Sequence, residues 1–195
     1  MITIAWDVDD VLNDLMRLWF EKEWLRTHPE CQLRYADINE NPPHNILGVS
    51  REEYLESLDN FRANSSCYKK MVPVLALKEW FIHHGHKFRH IALSAVPYAA
   101  AGESAKWVLT HFGEWIRTYH FIPSYRVTCK IPVYDKSKGE YLKWLQRADY
   151  LVDDNDVNIK GAESVGLKGV LFPRPWNSRS SKSVNTVLTF LSSLK

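Results

Sequence analysis

The chain opens with a short apolar stretch, Ile2 to Trp6, that runs directly into Asp7-Val8-Asp9-Asp10 and turns apolar again at Val11 and Leu12. The stretch predicts a buried strand. From Asn13 to about Arg26, Leu15, Met16, Trp19, Phe20 and Trp24 fall at helical spacing, and His28-Pro29-Glu30 ends the run. Residues 31–50 are polar and contain Pro42-Pro43 and Gly48, which predicts loop. Ser50-Arg51-Glu52-Glu53 has the form of a capping box and predicts a helix to about Phe61, with a break at Asn64-Ser65-Ser66. Beyond that point the pattern alternates. Helices are predicted over Val74–His84, Glu103–Phe112, Ser137–Gln146, Val157–Val165 and Ser183–Leu194. Strands are predicted over Phe88–Leu93, Tyr119–Ile122, Tyr150–Val152 and Lys168–Phe172. Such alternation predicts βαβ units and an α/β fold on a parallel sheet. Residues 14–73 do not alternate and read as a small helical cap inserted after the first strand, which leaves 1–13 and 74–195 as the core.

Composition narrows the class. At 195 residues, 45% hydrophobic and 25% charged, the chain reads as a soluble globular protein, long enough for one sizeable α/β core with an insertion or for two small domains. A formal charge of +2 is too small to argue for nucleic-acid or membrane binding. Cys31, Cys67 and Cys129 are widely spaced without a CxxC pair, which argues against a disulfide framework or a zinc site. They read as reduced thiols, and a cytoplasmic location is the expectation. No basic segment followed by an apolar run marks a signal peptide, and no stretch approaches the ~18 apolar residues of a membrane span. His83, His84, His86 and His90 straddle a helix end and a strand start, and read as surface or core residues. Eight Trp supply either bulky core filling or a stacking surface for a planar ligand.

The chemistry lies at the predicted strand ends, because ligands of a parallel sheet gather beyond its carboxyl edge. The first strand is followed by Asp7, Asp9 and Asp10. Ser94 and Ala95 follow Leu93, and Asp153, Asp154, Asn155 and Asp156 follow Val152. Lys138 opens the helix before that last strand, with Lys136 close by; the capping box at Ser137 favours Lys138. Clustered carboxylates repel and are costly to bury unless neutralised, and a hard cation such as Mg²⁺ is the usual partner. Asp7, Asp9, Asp153 and Asp154 are the candidate ligands. Asp7 is the candidate nucleophile toward phosphorus, and Asp9, two residues on, is the candidate acid and base. Ser94 with the adjacent amide of Ala95 would bind phosphate oxygens, and Lys138 would supply positive charge. Asp10 is either an acid behind the site or a helix-start carboxylate, with the second favoured. "FPRPWN", Phe172 to Asn177, either lines the site or is a turn held by two prolines.

This constellation resembles the haloacid dehalogenase (HAD) superfamily. "DVDDVL" resembles its first motif, "HIALSA" its second, "SKGEYLKWL" its third and "YLVDDNDVN" its fourth. The resemblance implies a three-layer, Rossmann-like core, a phosphatase, Mg²⁺ and an aspartyl-phosphate on Asp7. It makes Asp154 similar to the usual metal-ligating Asp, with Asn158 in place of a frequent final Asp. Within the superfamily the chain is most similar to 5'(3')-deoxyribonucleotidases, through the insertion after the first motif, "MVPVLALKEWFIHHGHKFRHIALSAVP" and "ESAKWVLTHFG". It departs from them at Ser94-Ala95, where they carry Thr-Ser, in the full helix between Lys138 and Asp153, and over residues 27–66, which match no part of the family pattern. The implied substrate is a small phosphorylated metabolite, for instance a nucleoside monophosphate, with sugar phosphates and nucleic-acid ends as rivals. A non-catalytic phosphate-binding module is the alternative from another class. If a nucleobase stacks on the insertion, Trp19, Phe20 and Trp24 are the aromatic candidates.

Overall fold

Five strands form a single parallel sheet in the order β3-β2-β1-β4-β5: β1 (Thr3–Trp6), β2 (Arg89–Val96), β3 (Ile116–Pro123), β4 (Tyr150–Asp153) and β5 (Lys168–Leu171). The computed structural model describes residues 1–126 and 130–195, so Cys129 lies outside the described residues. Cys31 and Cys67 are free thiols. β1 is central, with Trp6 opposite Ala92 of β2 on one side and Val152 of β4 on the other.

Side chains alternate across each strand, and both resulting faces are apolar. Ile4, Trp6, Ala92, Val152 and Val170 join one buried cluster; Ala5, Leu93, Leu151 and Leu171 join another. This is why the strands read as apolar runs and not as alternating patterns. The first face is covered by the helices Leu75–His84, Tyr98–Phe112 and Val184–Ser192, through residues such as Phe81, Trp107 and Leu191. The second is covered by the helices Lys138–Leu145 and Asp156–Ser164, through Leu142, Ile159 and Ala162. The result is a three-layer α/β core. Trp6 lies at its centre with ring centroids 5.0 Å from Phe81 and 5.6 Å from Trp80.

Several elements extend beyond their expected limits: β2 runs past Leu93 to Val96, so Ser94 and Ala95 lie within it and not after it, and the helix from Arg51 runs past Phe61 to Asn64. The helix expected from Glu103 starts at Tyr98. Ala99, Ala100 and Ala101 carry high helix propensity but no apolar periodicity, so the helical pattern surfaced only later. β3 begins at Ile116. It is an edge strand, and the exposed Arg117 and Thr118 hide its first half.

Between β1 and β2 runs a mainly helical stretch. Consecutive helical segments cover Leu15–Trp19, Phe20–Trp24 and Leu25–Thr27, the middle one a π-helical turn, and end before Pro29. The helix Arg51–Asn64 is capped by Ser50, whose Oγ accepts the Glu53 N–H at 3.1 Å. The chain leaves and rejoins the core at one place: Asn13 and Pro73 pair antiparallel, and the Val74 N–H donates to the Leu12 carbonyl at 3.0 Å. The stretch packs on itself, Trp19 against Trp24 (5.4 Å) and Tyr54 (5.3 Å), and that packing is continuous with the sheet core. Trp19, Phe20, Trp24 and Phe61 belong to the same cluster as Ile4 and Trp6. Among the described residues, no helix is long and apolar enough to cross a membrane.

Candidate active site

The strand order reverses direction at β1, so the loops after β1 and β4 splay around a crevice at the carboxyl edge of the sheet. The loop after β1 is a wide turn over Val8–Leu12, closed by the Asn13 N–H on the Val8 carbonyl at 3.2 Å. Asp10 takes a left-handed backbone there, with φ of 62°, a conformation that Asp tolerates better than most residues. Its carboxylate accepts the Met16 N–H at 2.9 Å at the start of the next helix, and Asp10 also stands at the cavity lined by the neighbouring carboxylates, so it occupies both expected places. Asp9 is extended, and both Asp7 and Asp9 line one cavity of about 170 Å³.

At the floor of that cavity Lys138 is buried between two carboxylates. Its Nζ lies 2.7 Å from Asp7 Oδ1 and 2.7 Å from Asp153 Oδ2. Lys138 stands at the first helical position after Ser137, whose Oγ accepts the Glu140 N–H at 3.2 Å. Lys136 is exposed, so of the two lysines it is Lys138 that meets the carboxylates. Gly139 brings the lysine in. Its Cα side faces the backbone of Gly161, close enough that an added Cβ would fall 2.6 Å from the Gly161 carbonyl oxygen. The missing Cβ of Gly139 lets the helices Lys138–Leu145 and Asp156–Ser164 approach so nearly, and that approach places Lys138 beside Asp153.

Carboxylate oxygens of Asp7, Asp153 and Asp154 lie within 4.8 Å of one another, and all three residues are buried. Burial pushes the Asp7 pKa well above its ordinary value; Lys138 opposes this, while Asp153 and Asp154 reinforce it. Burial, then Asp153 and Asp10, push Asp154 up to about 7. Burial works against the charge of Lys138, but Asp153 and Asp7 overcome it and raise its pKa. Three carboxylates thus face one ammonium, and the remaining negative charge is uncompensated. An all-oxygen donor set with a charge deficit suits a hard divalent cation. Asp7 and Asp154 line the cavity, whereas both oxygens of Asp153 are taken by Lys138, the Asn155 N–H (2.9 Å) and Asn158 Nδ2 (3.0 and 3.2 Å). Asp7 and Asp154 therefore present carboxylates to the cavity that could hold an ion, whereas Asp153 holds the lysine.

Other expected residues sit differently. The Asp9 carboxylate stands outside the three-carboxylate cluster and is held by Arg62 Nη2 at 2.9 Å and Asn13 Nδ2 at 3.1 Å. Ser94 is fully buried with its hydroxyl unpartnered, and it does not line the cavity; across the pleat it is Ala95 that does. Asp156 is bound to Ser178, away from the cavity. Trp19, Phe20 and Trp24 are buried in the core and none faces the cleft. The insertion instead contributes Leu15, Met16, Asn41, Tyr54, Leu58 and Arg62.

Pattern reading missed Arg62, because its partner Asp9 lies 53 residues away along the chain. It half-caught the segment after β5. Arg174 donates to the carbonyls of Asp10 (2.5 Å) and Asn13 (3.1 Å), and the Trp176 indole donates to Asp154 Oδ2 (2.7 Å). The strand-end rule pointed there, but no spacing in sequence distinguishes a strap from a turn.

No protein-family model and no curated protein matches this sequence. Solved structures do resemble the fold. A hydrolase from Streptococcus pneumoniae is 13% identical with a TM-score of 0.62, and 97% of each chain is covered. A candidate beta-phosphoglucomutase from Thermotoga maritima is 17% identical with a TM-score of 0.60, and both chains are covered in full. A candidate HAD hydrolase from Bacillus subtilis bound to magnesium is 13% identical with a TM-score of 0.50, covering 88% of this chain and 86% of that one. The chain has the fold of HAD-like hydrolases.

Proposed function

We propose that the protein is a Mg²⁺-dependent phosphomonoesterase acting on small phosphorylated metabolites through an aspartyl-phosphate on Asp7. The observation that carries this reading is the buried cluster of Asp7, Asp153, Asp154 and Lys138 sharing a cavity edge with Asp9. A binding module has no need of a nucleophile and an acid–base group in one cavity.

Asp7 and Asp154 would hold the ion, which would offset the charge of the phosphate and of the nucleophile. An Asp7 oxygen attacks phosphorus, and the bond to the ester oxygen breaks. Asp9 gives its proton to the departing alkoxide. It then takes a proton from the water that attacks the acyl phosphate, which releases inorganic phosphate and restores the Asp7 carboxylate. Lys138 holds Asp7 in place and stabilises charge on the phosphoryl oxygens. Arg62 and Asn13 fix the Asp9 carboxylate on the cavity side. Residues 14–73 act as the cap, covering the leaving group and excluding water.

Cavity size supports a small leaving group. At about 170 Å³ the cavity is below the ~300–1,000 Å³ of drug-sized pockets, and Tyr54 is the aromatic residue among its lining. Arg62, Asn41 and Tyr54 suit hydroxyls better than a stacked base. A sugar phosphate is favoured over a nucleotide, in keeping with the name of one fold relative. Phosphate release should be measured from sugar phosphates, nucleoside monophosphates and an aryl phosphate, with Mg²⁺ and with chelator. Sugar phosphates are expected to lead, and only with Mg²⁺. Undiminished hydrolysis by the demetallated protein would refute the metal assignment, and nucleotides leading the panel would refute the size argument.

A further inference from the structure

Trp176 touches Asp154 from a segment that binds both acidic loops. Its indole Nε1–H donates to Asp154 Oδ2 at 2.7 Å. Next to it, Asn177 Nδ2 donates to the Asp154 carbonyl (2.8 Å) and the Phe172 carbonyl (2.7 Å). Two residues earlier, Arg174 holds the carbonyls of Asp10 and Asn13 and pairs with the Asp14 carboxylate at 2.5 Å. Residues 174–177 therefore tie the Asp7 loop to the Asp154 loop. Trp176 is itself braced, edge-on against the Tyr35 ring from the insertion at 6.2 Å and 90°. An indole N–H is donor only and rigid with its ring, so this one bond fixes the rotation of the Asp154 carboxyl group about its own axis.

We propose that Trp176 is a positioning residue for the metal, holding the Asp154 carboxylate in the one orientation that suits Mg²⁺. The inference rests on the metal reading above and adds the selectivity of the site. Mg²⁺ requires near-ideal octahedral geometry at short distance, whereas Ca²⁺ accepts looser, larger shells. A carboxylate free to rotate therefore loses more for Mg²⁺ than for Ca²⁺. Hydrogen bonds that orient a metal ligand typically govern about 10–100-fold in metal affinity.

The test is calorimetric titration of the full chain with Mg²⁺ alone and with Ca²⁺ alone, for wild type and Trp176→Phe. Phenylalanine removes the N–H and keeps a ring to pack on Tyr35. The Mg²⁺ Kd is expected to rise about 10–100-fold, and the Ca²⁺ Kd less, so that the preference for Mg²⁺ narrows. An unchanged Mg²⁺ Kd, or equal losses for both ions, in a variant with a wild-type thermal midpoint overturns the proposal. Should that variant not fold, the wild-type protein still decides. The Trp176 indole proton, among the eight indole signals, is expected to exchange slowly with solvent and to shift on Mg²⁺ addition. A freely exchanging, unmoved signal overturns the role. A wild-type protein that binds no Mg²⁺ instead defeats the metal reading itself, and this separates the two failures.

Discussion

Gly139→Ala should damage the protein, although alanine is the better helix former. In an open helix interior the change would gain about 1 kcal/mol. Here the new Cβ would lie 2.6 Å from the Gly161 carbonyl oxygen, 2.8 Å from its carbon and 3.2 Å from its Cα, all backbone atoms that no rotamer change can move. Restoring an ordinary contact of 3.4 Å requires the two helices to part by roughly 0.8 Å, the difference between 3.4 and 2.6. Overpacking of this kind costs about 1–3 kcal/mol, which cancels or exceeds the propensity gain. The separation also carries Lys138 away from Asp153, lengthening a 2.7 Å ion pair toward 3.5 Å. A misplacement near 1 Å in a reacting constellation can cost ~10²-fold in rate. Gly161→Ala is the control, since its Cβ would meet nothing nearer than Gly139 Cα at 4.0 Å. Thermal unfolding and aryl-phosphate hydrolysis should be measured for both variants. Gly139→Ala is expected to lose most activity with an unchanged or lower midpoint, while Gly161→Ala keeps its activity and gains stability. If Gly139→Ala is stabilised and fully active, the close-contact argument is wrong.

Other outcomes follow from the same geometry. Asp7→Asn should abolish turnover, and Asp9→Asn should slow it by ~10²–10⁴; a beryllium fluoride adduct found on Asp153 instead of Asp7 would contradict the assignment of the nucleophile. His90 accepts the Trp6 indole N–H at Nδ1 (2.9 Å), and its Nε2 lies 2.8 Å from the Gly85 carbonyl, a pairing that suits the neutral ring. Burial lowers its pKa to about 4 from 6.5. The unfolded chain therefore takes up a proton between pH 6.5 and 4 that the folded chain refuses. This contribution to stability is complete above pH 6.5 and fades as pH falls toward 4, by up to ~3 kcal/mol. Urea midpoints at pH 7.5 and 4.5 should show the loss in wild type and less of it in His90→Gln; identical slopes would count against it. Trp19 is fully buried, with its indole on Ser57 Oγ at 3.1 Å. Trp19→Ala should cost ~3–5 kcal/mol of stability and depress nucleotide and aryl-phosphate hydrolysis alike, and a loss confined to nucleotides would return this ring to substrate recognition.

Much of the framework is local and therefore written in the chain. Apolar runs flanked by glycine and capping residues located all five strands and the helices of the core, because a strand buried on both faces and a helix with a capped start declare themselves within a few residues. The strand-end rule then placed Asp7, Asp9, Asp153, Asp154 and Lys138 at one edge, since in a parallel sheet every carboxyl end points the same way. What depends on contacts across the chain was not legible. Apolar periodicity could show that Trp19, Phe20 and Trp24 share a face but not what that face meets: Trp19 packs on Tyr54 of a later helix, in a cluster continuous with the sheet core. The alternation of β2 could not say which of Ser94 and Ala95 turns toward the cavity, because register against β1 and β3 decides that. Arg62 reaches Asp9 and Trp176 reaches Asp154 over 53 and 22 residues. Gly139 meets Gly161 only because two helices lie side by side. The sequence by itself determined which chemical groups stand at the sheet edge. The tertiary structure decided which of them touch, because separation along the chain places no limit on how near two folded segments come.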